Sequence, residues 1–85
     1  MTSGLITVLL DSELLTLGRT CGVLRRRNLP IHGFAVDSHG SPDVWRLSCV
    51  IDADDVTLTG LVLQIRNVIG VRKATVCSQL RSEAS

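Results

Sequence analysis

Leu5-Ile6-Thr7-Val8-Leu9-Leu10-Asp11-Ser12-Glu13-Leu14-Leu15-Thr16-Leu17-Gly18-Arg19-Thr20-Cys21-Gly22-Val23-Leu24-Arg25-Arg26-Arg27-Asn28-Leu29-Pro30-Ile31-His32-Gly33-Phe34-Ala35-Val36 reads as strand, helix, strand. The opening run Leu5 to Leu10 is too short for a helix and holds no breaker, which fits a strand buried on both faces. Asp11-Ser12-Glu13 ends it and offers N-cap oxygens. Leu14, Leu17, Cys21 and Leu24 then recur at helical spacing, with Gly18 on the same stripe, where a small residue would let the helix lie close to a sheet. Arg25-Arg26-Arg27 complements the negative end of the helix dipole, Asn28 suits a left-handed cap, and Pro30 cannot continue the helix. Ile31 to Val36 is the second strand.

Outward from this stretch, Asp37 to Asp43 is rich in turn formers and predicts a loop. Val44 to Ile51 alternates, placing Trp45, Leu47, Cys49 and Ile51 on one face, so the second and third strands should form a hairpin. Asp52-Ala53-Asp54-Asp55 could recruit a hard cation. It lacks the glycine and closing glutamate of a calcium loop, and N-capping of the following helix explains it better. That helix carries Leu58, Leu61, Val62, Ile65, Val68 and Ile69 on one stripe and ends at Gly70. Val71 to Cys77 makes the last strand. Residues 1–4 and 78–85 read as polar tails around one domain, residues 5–77. The order β-α-β-β-α-β, with two helices that each need one covered face, fits an α+β, ferredoxin-like arrangement: a four-stranded antiparallel sheet with both helices on one face.

Composition narrows the function. The 85 residues are 45% hydrophobic but only 2% aromatic, so a small aliphatic core is expected, with some apolar surface covered by another subunit. A net charge of +1 is no footprint for nucleic acid or an anionic membrane. The apolar runs fall far short of the roughly 20 residues that span a bilayer. Met1 to Gly4 lacks the basic start of a secretory signal, which leads us to expect a cytoplasmic protein. Cys21, Cys49 and Cys77 form no C-x-x-C pair and fit small buried or half-buried hydrophobes in a reducing compartment. No nucleophile has a visible base, so no catalytic residue, metal or cofactor is assigned to the chain. His39 should be exposed, His32 could reach an interface, and Trp45 fits the core or its edge. An RNA-recognition domain of this topology needs stacking aromatics on its central strands, and a copper chaperone needs a C-x-x-C in the first loop. The first strand has no aromatic, and the loop reads Asp11-Ser12-Glu13-Leu14-Leu15.

The succession Ile6 to Leu10, Gly22 to Arg27, Ile31 to Val36 and Leu61 to Ile69 leading into Val71 resembles the ACT domain of acetolactate synthase (acetohydroxyacid synthase) small subunits. It is most similar to the short, single-domain, valine-insensitive isozyme II type. The resemblance implies a non-catalytic subunit that binds and activates a thiamine-diphosphate-dependent large subunit in branched-chain amino acid biosynthesis. In the family, valine sits between two ACT domains, against the first strand-to-helix turn and an Asn before the neighbour's second strand. Here Ser12 stands for the turn's Asn, Leu15 for its Gly and Pro30 for the second Asn. Leu15 puts a side chain where a ligand needs backbone, and Pro30 removes an amide and a donor. Feedback binding of valine is therefore expected to be weak or absent. The edge strand Ile31, His32, Gly33, Phe34, Ala35 and Val36 is too apolar to stay open and predicts a homodimer through paired copies. The competing expectations are a free-standing amino-acid-binding sensor that keeps a pocket at the turn, and a structural remnant or adaptor that borrows the fold without any synthase.

Overall fold

The computed structural model describes residues 2–80, in the order β1 (Thr2–Asp11), α1 (Leu14–Arg27), β2 (Ile31–His39), β3 (Ser41–Asp52), α2 (Asp55–Arg66) and β4 (Val71–Leu80). The four strands form one antiparallel sheet in the order β2-β3-β1-β4. The expected ferredoxin-like architecture is therefore present, with β1 and β3 central and β2 and β4 at the edges.

The core lies between one face of this sheet and the helices. Ile6, Val8 and Leu10 of β1, Leu47, Cys49 and Ile51 of β3 and Ala74 of β4 meet Val23 and Leu24 of α1 and Leu58, Leu61, Val62 and Ile65 of α2. All are aliphatic or small, as the scarcity of aromatics required; Trp45 packs partly buried against the cluster. β1 is not buried on both faces as its run of apolar residues implied. Its side chains alternate, and Leu5, half-exposed, points with Thr7 and Leu9 to the open face, because the second layer covers one side only.

Helix α1 is rotated from the expected stripe. Its buried residues are Thr16, Thr20, Val23 and Leu24, while Leu14 (77% exposed) and Leu15 (62%) stand outside. Two threonines can be buried because their hydroxyls are satisfied: Thr20 Oγ1 donates to the Thr16 carbonyl and Thr16 Oγ1 to Glu13 Oε1, both at 2.9 Å. Gly18 lies on the exposed side and eases no contact with the sheet. The close approaches come from Gly4, which packs under Leu58, and Gly70, which packs on Thr16. Asn28 adopts the left-handed conformation (φ 51°), as expected, and its N–H donates to the Arg25 carbonyl.

Helix α2 starts as its sequence required: Asp54 Oδ1 accepts from the Thr57 N–H at 2.7 Å. It stops at Arg66, short of Gly70, and this places Ile69 outside, 80% exposed, instead of on the inner stripe. The expected loop at residues 37–43 is also largely strand. β2 and β3 continue pairing to His39 and Ser41 around Gly40 (φ 75°), since ladder hydrogen bonds outweigh the turn preferences of exposed Asp and Ser residues. At the termini, β1 begins at Thr2 and β4 runs to Leu80, extending the paired strands into the stretches read as tails; residues 81–85 lie outside the described residues.

Candidate functional site

The β1–α1 turn is built from short hydrogen bonds that fix it to its neighbours. The Asp11 N–H donates to the Gly70 carbonyl (2.8 Å), Ser12 N–H to the Asp43 carbonyl (3.1 Å) and Glu13 N–H to the Asp11 carbonyl (2.8 Å). Asp11 Oδ1 also accepts from Arg72 Nε at 2.7 Å. The amides at Ser12 and its two neighbours are thus engaged within the chain. Beyond them, the first turn of α1 presents Leu14 and Leu15 to solvent. Glu13 stands at the N-cap without a side-chain bond to the helix backbone, its carboxylate being taken by Thr16.

Pro30 is exposed at the start of β2, and its carbonyl accepts from the Asp52 N–H at 3.2 Å. The fold does not bring Pro30 near Ser12 and Leu15 within one chain. Ile31 is level with Ile51 and thereby with Gly4, whereas Ser12 follows Asp11. The strand from Gly4 to Asp11 separates them, roughly 23 Å at about 3.3 Å per residue.

β2 is a true edge, paired only with β3, and every residue from Ile31 to Ala35 is exposed, with Val36 partly covered. A bulge falls between His32 and Ala35, where Gly33 takes φ 59° and lets two residues oppose one. Phe34, half-exposed, consequently turns to the helix side and lines a cavity of about 330 Å³ with Ile31, Leu24 and Cys21. The opposite edge differs in its side chains: β4 carries Arg72 and Lys73, charges that discourage further pairing, while both edges are irregular in register.

One polar cluster could not be read from spacing. His32 Nε2 donates to Asp52 Oδ2 (2.8 Å), and Ser3 Oγ donates to Asp52 Oδ1 (2.9 Å). The carboxylate sits in the middle, so it does not orient an imidazole toward the serine as a hydrolytic triad requires. The register that aligns Ser3 with Asp52 is the only signal, and it needs the sheet.

The thiols are not equivalent. Cys49 is fully buried, and desolvation, reinforced by nearby Cys21, pushes its pKa up to about 11. Burial also raises Cys21. Cys77 is exposed, contrary to the expectation of three covered thiols, because it falls on the open face of β4 opposite Leu5. Asp54 is held below the ordinary carboxylate value by its hydrogen bonds from Thr57. Among the described residues no group of His, Cys, Asp and Glu could hold a metal ion, and no helix is long and apolar enough to cross a membrane.

No protein-family model and no curated protein matches the chain. Solved structures do. The acetolactate synthase small subunit from Thermotoga maritima is 22% identical and superposes with a TM-score of 0.77, over 87% of this chain and 46% of that one. The ACT domain of the GTP pyrophosphokinase of Chlorobium tepidum is 15% identical, with a TM-score of 0.74 over 91% and 97% of the two chains. The C-terminal domain of the MgtC protein from Mycobacterium tuberculosis, 11% identical, gives a TM-score of 0.69. At these identities the likeness is one of fold, and the fold is the ferredoxin-like βαββαβ arrangement of ACT domains.

Proposed function

We propose that the chain is a non-catalytic accessory subunit of an acetolactate synthase, of the short isozyme II type, that works as a homodimer and binds valine weakly or not at all. The observation that carries the reading is the β2 edge: apolar, uncharged by Lys or Arg, and carrying half-exposed Ile31 and Phe34. The likeness to the Thermotoga small subunit over 87% of the chain supports the same assignment. Two copies of β2 laid antiparallel would join the sheets into one of eight strands. The copy of β2 would then begin at the His39 end of the first, the end at which β1 delivers Ser12. Pro30 of one subunit would thus approach Ser12 and Leu15 of the other, the place where the family holds its effector.

At that place the amides of Ser12 and Glu13 are engaged internally, Leu15 projects a side chain, and Pro30 offers no donor. Weak effector binding follows, while the open sheet face around Leu5, Val44 and Val50 stays available to a catalytic subunit. Co-purification of the tagged chain with an acetolactate synthase large subunit tests the assignment, and a failure to associate at micromolar concentration would overturn it. The same fold also admits a second reading, a free-standing amino-acid sensor with a ligand site at the β1–α1 turn. Calorimetry with valine, leucine and isoleucine tests it: a micromolar binding heat selects the sensor and overturns the claim of a lost site.

A further inference from the structure

We infer that the trough between the C-terminal half of α1 and the end of α2 is a docking site for an acidic amphipathic helix of a partner protein. The inference rests on the accessory-subunit reading only for which partner supplies that helix. Two adjoining cavities of about 540 and 560 Å³ share Val23, Arg26, Asn67 and Val68, so they form one continuous channel on the side away from the sheet. Val23 and Val68 make its floor. Arg27 stands at one end, and Arg19 and exposed Ile69 stand at the other.

The charge is one-sided. From Leu14 to Arg27, α1 carries Arg19, Arg25, Arg26 and Arg27 and no acidic residue. The Arg72–Asp11 ion pair and the His32–Asp52 hydrogen bond, among the described residues, lie elsewhere. The bonds that Arg26 and Arg27 make go to neutral acceptors, the Gly22 carbonyl and Gln64 Oε1, and leave their charges uncompensated. An apolar floor between uncompensated guanidinium groups is complementary to a segment with apolar side chains on one face and carboxylates beside them. Arg19 and Arg26 are about 10 Å apart along the helix axis, the rise between positions i and i+7 of a second helix. A Cβ placed on Gly22 would meet nothing within 4 Å, so this wall of the channel is flat and a partner backbone can come close. The channel offers no aromatic platform on which bases could stack, which favours a protein segment over a nucleic-acid strand.

The test uses the full chain, a fluorescent synthetic helix of about five turns with Leu on one face and Glu flanking it, and its Glu→Lys analogue. The expected result is saturable binding of the Glu peptide alone, weakened about tenfold or more by Arg19→Glu with Arg26→Glu and by half-molar salt. Amide shifts should fall on Gly22, Val23 and residues 67–69. Equal binding of the Lys analogue, shifts confined to the open sheet face, an undiminished double variant, tighter binding of a single-stranded oligonucleotide, or occupation of the channel by a second copy would each overturn it. Co-purification with the synthase large subunit distinguishes the two readings. A wild-type chain that binds the peptide and not the large subunit removes the accessory role alone. A double variant that retains the large subunit as well as wild type removes the docking site alone.

Discussion

Gly70 shows how a single position ties the candidate turn to the rest of the chain. It takes φ 98°, its carbonyl accepts from Asp11, and a Cβ there would come within 2.6 Å of Thr16 Oγ1. Gly70→Ala adds a steric conflict and a disfavoured conformation together, and should cost about 2 kcal/mol or more in urea unfolding. Gly18→Ala is the contrasting case, because its site is open and within a helix; it should stabilise by about 0.5 to 1 kcal/mol. Cys49 makes a pH-dependent prediction. Its folded pKa, about 11, lies above the ordinary 9.0, so its contribution to stability is complete below pH 9 and is lost as pH rises toward 11. Cys49→Ala should flatten that alkaline limb of the stability profile. Labelling of the native protein by a thiol reagent should run Cys77 first, Cys21 next and Cys49 last.

At the scale of elements, each helix and strand was legible where hydrophobic period and backbone chemistry agree. Trp45 to Ile51 alternates as observed, Leu58, Leu61, Val62 and Ile65 are buried as their spacing required, and Asp54 and Asn28 cap where their chemistry allows. The departures from these expectations share a physical origin. The leucines of α1 predict an inner face that includes Leu14, yet Thr16 and Thr20, whose hydroxyls are satisfied by Glu13 and the Thr16 carbonyl, lie inside instead. The bulge at Gly33 shifts Phe34 toward the helices, and strict alternation along Ile31 to Val36 gives no sign of it beyond the glycine itself. The candidate site was legible as a turn and an edge. Its hydrogen bonds to Gly70 and Asp43 were not, because they join segments far apart in sequence. The cap of α2 carries its own test. Asp54 has a lowered folded pKa, so its stabilisation is present above the ordinary aspartate value and is lost as pH falls through the folded one. Asp54→Asn, which keeps an acceptor without a titrating charge, should show a shallower loss of stability in acid.

For the whole molecule, the two sheet edges set the expected assembly. Both edges carry register irregularities, so the contrast lies in the side chains: β4 presents Arg72 and Lys73, while the Ile31–Val36 part of β2 presents Ile31 and Phe34 and no Lys or Arg. Sedimentation at micromolar concentration should show a dimer, and Phe34→Lys should shift it to monomer. Because Phe34 is half-exposed, that change should cost the fold no more than about 1 kcal/mol. The most direct test of the accessory role is a titration of the purified chain into an acetolactate synthase large subunit while acetolactate formation is followed, with and without valine. A saturable rise in activity that valine leaves unchanged is the predicted result; activity indifferent to the added chain at every concentration would contradict it.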